Sequence, residues 1–368
     1  MAATIVDDPG FAMKLRFRAA CAVMAALWLL LGPWPAAAQA PDPFVVTGVP
    51  VDVTGTTALD ARTRALADGQ RAAFRRLLQR MVPESSWPGL PQASDGNVQA
   101  AVRGFQIASE RASATRYIAK LDVAFHREPV RRLLRDAGLP FTETSARPVL
   151  LLPVWHDAAG VQLWEASNPW RQAWEARPER PTLAPILVPT EEQAGAGSQA
   201  TVAEDPAALR QLAQRLGAGD VVVAEARQRG AQVEVTTTRY GAGAPELATA
   251  SFASLAAAAE GLARTWDEAW KAKTILRFDA TGSLKVEVPI RSMADWVKIR
   301  QRLAETSEIG KVEVAALSAR AAELVLTLLG DTETLKLALR QRDLALTETG
   351  GAWRLERTDA GAAPPATR

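Results

Sequence analysis

Cysteine and histidine are almost absent from this sequence. The 368 residues include one cysteine, Cys21, and two histidines, His126 and His156. Cysteine-ligated zinc, iron–sulfur clusters and thiol catalysis are excluded once Cys21 is removed with the leader described below, and two histidines cannot build a His-rich metal site unless carboxylates complete it. Each histidine closes a stretch that reads as a strand, and a triad through His156 would need a nucleophile that the sequence does not nominate. Phosphate-binding loops are missing as well. GAGAPE lacks the third glycine of a dinucleotide fingerprint, and neither a Gly-Lys-Ser/Thr loop nor a Gly-x-Ser-x-Gly elbow occurs. An excess of one charge is also missing: the net charge is +2, which leaves no basic face for nucleic acid. No cofactor and no metal are expected, and the chain does not read as an enzyme.

Long apolar runs are scarce, and the only one near the start is short. Lys14, Arg16 and Arg18 precede an apolar stretch from Ala19 to Leu31, which closes on Ala38-Gln39-Ala40. A basic start, an apolar core and a small-x-small end are the layout of a secretory signal peptide over residues 1–40, cleaved after Ala40. The run is about thirteen residues, against about twenty for a membrane span. Translation can begin at Met1 or Met13, because the residues before Met13 add nothing to the signal. Cys21 lies early in this leader, not at its cleavage point, so lipid attachment is not expected and the mature chain has neither cysteine nor disulfide. A periplasmic protein without a membrane span after cleavage is the expectation.

What remains suits several domains of an α+β class. Residues 41–146 open with FVVTGVPVDV, an alternating strand from Phe44 to Val53. Thr57 caps a helix running to about Met81, with Leu59, Leu66, Ala73, Phe74, Leu77, Leu78 and Met81 on one face, and Pro83 ends it. Trp87, in the loop that follows, reads as the seal of a core edge. A short helix near 97–104, a strand in TRYIAKLDVAFH and a helix stopping at Gly138 complete the order β-α-(α)-β-α.

Residues 147–275 begin with PVLLLPVW, a continuous apolar run as in a strand buried on both faces. LAPILVP near 183–189 can be another. Asp205-Pro206 starts a helix with Leu209, Leu212, Ala213 and Leu216 on its apolar face. A buried strand, a glycine turn and an alternating strand follow Gly217. Ser254 caps an alanine-rich helix carrying Leu262, Trp266 and Trp270. Residues 282–357 read as β-α-β-β-α-β, the split βαβ or ferredoxin-like order, with Ser292 and Asp295 placed as a capping box and LALTETGGAWRLE as a last strand or hairpin. Residues 358–368 form a small, Pro-rich tail with the composition of disorder.

The aromatic content is concentrated. Trp155, Trp164, Trp170 and Trp174 fall within VWHDAAGVQLWEASNPWRQAWEA. Asn168 can cap a helix that starts at Pro169, which puts Trp170 and Trp174 on one face. Two readings stay open: a helix pinned over the sheet end by aromatic area, or an aromatic patch in which Trp155, Trp164, Trp170 and Trp174, with Arg171, contact a partner or glycan. The second would admit a carbohydrate-binding or carbohydrate-active protein using Asp157 or Glu165.

FVVTGVPVDVTG, AFRRLLQRMV, LLLPVW, LWEASNPWRQAW and LAQRLGAGDVVVAEA together resemble an uncharacterised family of proteobacterial envelope proteins, the domain of unknown function numbered two-zero-six-six. The resemblance extends over nearly all of the mature chain and implies relatives, not an activity. LRQLAQRLGAGDVVVAEARQRGAQVEVTTTRY is similar in architecture to periplasmic partner-binding domains, including the amino-terminal domain of the translocation protein TolB and the lipoprotein activators of cell-wall synthases. Those likenesses imply a binding or adaptor role with an envelope protein or a cell-wall polymer as partner. The edge of a four-stranded third sheet would then be available for strand addition.

Overall fold

A computed structural model describes residues 42–158, 160–163, 165–194, 205–241, 243–276 and 281–358. The leader with its cleavage point, Trp164, and the tail after Thr358 lie outside the described residues. The fold is α+β, built on three sheets, and the described residues belong to one compact unit.

The first sheet has strands β1 (Val45–Thr54), β2 (Val102–Ala112) and β3 (Arg116–Phe125) in the antiparallel order β1-β3-β2. One face is covered by α1 (Ala58–Met81), whose first turn is closed by the Thr57 hydroxyl accepting from the Asp60 amide. Small residues Ala61, Ala65, Gly69 and Ala73 line the buried stripe of α1 ahead of Phe74, Leu77 and Leu78. A Cβ at Gly69 would overlap Leu121 and Val51, so the close approach of helix to sheet requires glycine there. Leu59 departs from the expected apolar face: it is 73% exposed, because the contact stripe runs through the small residues one position round the helix. Trp87 packs against this core, and its Nε1 donates to the Val82 carbonyl at 3.1 Å. After α2 (Asp95–Ala101), β2 is a strand absent from the sequence-based order, which carried one strand fewer here. Its outer positions are almost all exposed, so it lacks the alternation that marks a half-buried strand. The helix α3 (Arg127–Asp136) ends at Gly138, whose φ of +65° is the left-handed stop the sequence suggests.

The second sheet contains β4 (Val149–Asp157), β5 (Gly160–Gln162), β6 (Ile186–Leu187), β7 (Val221–Arg229), β8 (Gln232–Tyr240) and β9 (Glu246–Phe252). Its order is β5-β4-β7-β8-β9, with β6 beside the start of β4 on the side that β5 takes at its end. The pairs β4–β7 and β4–β6 are parallel, and the remaining neighbours are antiparallel. The continuous apolar run of β4 is explained by two layers. Val149 and Leu151 face a core shared with α4 (Pro169–Glu175) and α7 (Leu255–Thr274), while Leu150, Leu152 and Val154 face α6 (Pro206–Arg215). A short α5 (Glu191–Ala194) lies between α4 and α6 in the chain. Like β2, the edge strand β9 has an exposed pattern and no counterpart in the sequence reading.

The third sheet contains β10 (Thr281–Pro289), β11 (Ile309–Leu317), β12 (Ala321–Leu329), β13 (Leu344–Thr349) and β14 (Ala352–Arg357), with helices α8 (Met293–Ala304) and α9 (Thr332–Arg340). Its order, β11-β12-β10-β14-β13, has five strands where a ferredoxin-like βαββαβ unit would have four. The difference lies in the final segment, which turns back on itself at Gly350 and Gly351, with φ of +62° and +81°. The second arm of that hairpin, β14, lies parallel beside β10, and β13 is pushed to the edge.

The three sheets meet at the stretch 141–146, FTETSA, where every residue is buried. The side chains of Thr142, Glu143 and Thr144 each have a defined partner. Glu143 accepts two bonds from the Arg131 guanidinium, at 2.6 and 2.7 Å, and a third from the Ser307 hydroxyl at 3.1 Å. Thr144 returns the arrangement by bonding its hydroxyl to the Glu308 carboxylate. Glu143-Thr144 and Ser307-Glu308 thus form a reciprocal clasp between the first and third sheets, each supplying one hydroxyl and one carboxylate. The clasp is flanked by an Arg147–Asp343 ion pair. Burial pushes the Glu308 carboxyl up to about 7, with the Glu143 charge acting in the same direction. The far half of α7 joins the same junction. Trp270 Nε1 donates to the Thr144 carbonyl at 2.6 Å, and the Thr142 hydroxyl donates to Thr274 Oγ1 at 2.9 Å. Lys271, 1% exposed, reaches Asp267 at 2.9 Å and the carbonyls of Gln79 and Val82 at 3.2 Å.

Candidate binding surfaces

The tryptophan-rich stretch supplies core, not surface, where it is described. Asn168 makes this possible: its Oδ1 accepts from the amides of Trp170 and Arg171, and its Nδ2 donates to the Pro153 carbonyl at 3.0 Å. That side chain ties the start of α4 to β4 and turns the helix inward. Trp170 is fully buried, with Nε1 donating to the Ala224 carbonyl of β7 at 3.0 Å. Trp174 is 3% exposed and stands edge-on to Trp170, with ring centroids 5.3 Å apart. On its other side it stacks on Trp266 of α7, 5.8 Å away and nearly parallel. Arg177 lies over Trp174 and Arg239 over Trp266, so two cations close the ends of a two-ring stack. Burial lowers the pKa of Arg177. Arg171 is 7% exposed, and its Nε donates to Glu175 at 2.8 Å.

Of the two readings open for this stretch, the described rings lie as the pinned helix would place them. Trp170, Trp174 and Arg171 are removed from solvent, Trp155 is half-buried against the same core, and Trp164 lies outside the described residues. Aromatic area against β4 outweighs ring exposure, as burying large rings is worth several kcal/mol in a core. The carbohydrate reading drew on these rings, and Trp155 is the one described member with partial access. Asp157 caps its own turn, accepting from the Gly160 amide and from Gln162 Nε2. His156 pairs with Glu225 at 3.0 Å on the sheet surface, whereas His126 precedes α3 beside the first sheet. Among the described residues no cluster of three or more His, Cys, Asp or Glu is placed to hold a metal ion.

A concave surface occurs elsewhere, on the face of the first sheet that α1 leaves open. Two irregularities shape it. In β1 the register shifts between Val46 and Val49, where Gly48 takes a φ of +67° and donates its amide to Asp122 Oδ1 at 2.7 Å. In β2 the register shifts between Val102 and Gly104. Bulges of this kind bend strands and raise local twist. Between them lies a groove of about 430 Å³, lined by Thr47, Arg103, Phe105, Gln106, Asp122 and Ala124 among others. Its lining carries both charges, Arg103 and Asp122, while Phe105, 41% exposed, stands opposite Val123 in the register and so belongs to the other face of the sheet. Its rim is β2, the edge strand, which pairs with β3 on one side and presents its other backbone edge unpaired within the sheet. Sequence periodicity could not reveal this site, because the strand that borders it has no buried face. The glycines Gly48 and Gly104 were its available signal.

One family model matches the chain: Domain of unknown function (DUF8605), over residues 51–143, about a quarter of the length. The matched segment runs from β1 to the clasp residue Glu143 and holds most of the groove. Its number is not the one given by the sequence resemblance, so what stands is that this segment is a domain of unknown function. No curated protein and no solved structure matches the chain. No helix among the described residues is long and apolar enough to cross a membrane.

Proposed function

We propose that this is an exported, non-catalytic protein of the bacterial cell envelope that acts by binding. The partner is an envelope protein whose extended segment lies along β2 and fills the groove on the first sheet. A single observation carries the reading: an eleven-residue edge strand borders a bulge-shaped groove lined by Gln106 together with Arg103 and Asp122. Strand addition obtains affinity from backbone hydrogen bonds and specificity from alternate side-chain pockets, and such a surface supplies both. The leader-like residues 1–40 and the likeness to proteobacterial envelope proteins support the location.

The test is site-specific photocrosslinking in cells. A crosslinker at Gln106 should capture a discrete protein that one at Arg215, exposed on α6, does not, and Arg103→Glu should deplete that product. Identical products from both positions, or none from Gln106, would overturn the reading. Capture of cell-wall polymer instead of protein would replace the proposed partner. Export is tested separately, by finding Pro41 as the first residue of the protein in the periplasmic fraction. A retained leader would contradict it.

A further inference from the structure

The third sheet has a free edge of a different kind. Strand β11 pairs with β12 alone, and its outer half exposes Val314 (48%) and Leu317 (54%). Beside it, α8 exposes Met293 (70%) and Val297 (57%). The flank of α8 on which these two lie follows from its other contacts. Asp295 pairs with Arg357 of β14, and Arg302 approaches Asp343 at the start of β13, so that side of the helix faces the β14–β13 end of the sheet. Met293 and Val297 are roughly 160° round the helix from Asp295 and belong to the β11 side. Four apolar side chains therefore gather along one unpaired edge, on a helix flank and the strand below it.

The strand also has a self-complementary centre. Register shifts between Ile309 and Lys311 and between Val314 and Ala316 leave Lys311–Val314 as its regular run. Lys311 and Glu313 both project from the open face, 67% and 54% exposed, with Val312 between them pointing toward the helix layer. We propose that two copies of this chain pair through antiparallel β11 edges about a two-fold axis at Val312, joining their sheets into one. In that register Lys311 of each copy stands opposite Glu313 of the other, so two opposite-charge cross-strand pairs form at once. The same register keeps both helix layers on one side of the joined sheet, which brings the Met293 and Val297 flanks together. Shifting by one residue would put Lys311 opposite Val314 and the helices on opposite faces. A two-fold contact must be complementary to itself, and a Lys-x-Glu centre satisfies that condition. The regular run is short and two bulges limit it, so the dimer is a weak one.

The test uses the purified chain from Pro41 onward, which lacks cysteine and contains the compact unit. Sedimentation at about 10–500 µM should show a monomer–dimer equilibrium, the range expected of a small interface. Lys311→Glu and Glu313→Lys should each be monomeric, because each sets like charges opposite one another, while an equimolar mixture of the two should dimerise. A folding defect cannot produce that rescue. Val312→Cys should oxidise to a disulfide-linked dimer, and Leu247→Cys on β9 should not. A chain that stays monomeric at the highest concentration, or a dimer that neither charge variant weakens, would overturn the proposal. Partner capture at Gln106 neither requires nor affects these results.

Discussion

Two short stretches of this chain exchange the roles that their compositions suggest. Residues 154–176 carry clustered tryptophans, and a reader of the sequence looks there for a site. Residues 141–146, FTETSA, follow the helix stop at Gly138 and carry no apolar pattern of their own. In the structure Trp170 and Trp174 are sealed between α4, α7 and β4, while the small polar stretch is the most enclosed polar segment described and joins three sheets. Residue chemistry is a weak guide to location when the chain can satisfy it in either place. Rings are buried where a strand end offers apolar area. Hydroxyls and carboxylates are buried where they find donors or acceptors, and the one buried oxygen of the clasp left without a partner, Glu308 Oε2, belongs to the carboxyl that burial pushes toward its neutral form.

The strongest way to break this comparison is to truncate one member of each stretch. Trp170→Ala should cost about 3–5 kcal/mol in urea unfolding, as a core ring does, whereas Trp155→Ala, half-buried, should cost clearly less. If the two cost the same and little, the stretch is not core. Arg131→Ala should cost about 3–5 kcal/mol, because it strands the Glu143 charge in a buried site. A loss under 1 kcal/mol would mean that water reaches Glu143 readily.

Glu308 sharpens the comparison through pH. Its folded value of about 7 lies above the ordinary 4.5, so the folded chain holds this proton more tightly than the unfolded chain. Its contribution is fully present below pH 4.5 and is lost as pH rises through about 7, at roughly 1.4 kcal/mol per unit, for about 3 kcal/mol in all. Urea midpoints from pH 4.5 to 8.5 should show that decline in the native chain, and Glu308→Gln should flatten it. An unchanged slope in the variant would assign the decline to other groups.

Smaller effects are expected in the first sheet. Gly69→Ala should destabilise by about 1–3 kcal/mol, through overlap with Leu121 and Val51, despite the higher helix propensity of alanine. A stabilised variant would show that α1 can move away from the sheet. Thr57→Ala should cost about 1 kcal/mol, the usual value of a lost helix cap, and a change below a few tenths would remove Thr57 from that role.

Helix starts were legible almost completely. Thr57, Asn168, Asp205, Ser254, Ser292 and Asp331 each cap the first turn of a helix with a side-chain oxygen, and each can be recognised from sequence because the cap depends on local geometry. Strands with a buried face, such as β3 and β4, were equally plain. The strands β2 and β9 were not, since edge strands exposed on most positions carry no apolar alternation. The last hairpin shows a different limit: Gly350-Gly351 marks the turn, but which arm lies beside β10 depends on long-range pairing. The clasp was invisible for the same reason, as Glu143 and Ser307 are distant in sequence. The groove's only local marks are its glycines.

The measurement that bears most directly on the whole arrangement is calorimetric unfolding of the chain from Pro41 at pH 6. With the sheets joined by 141–146, the described unit should unfold in one transition whose calorimetric and van't Hoff enthalpies agree. Two or three separable transitions, unmoved by Arg131→Ala, would contradict the joining role given to the buried polar stretch.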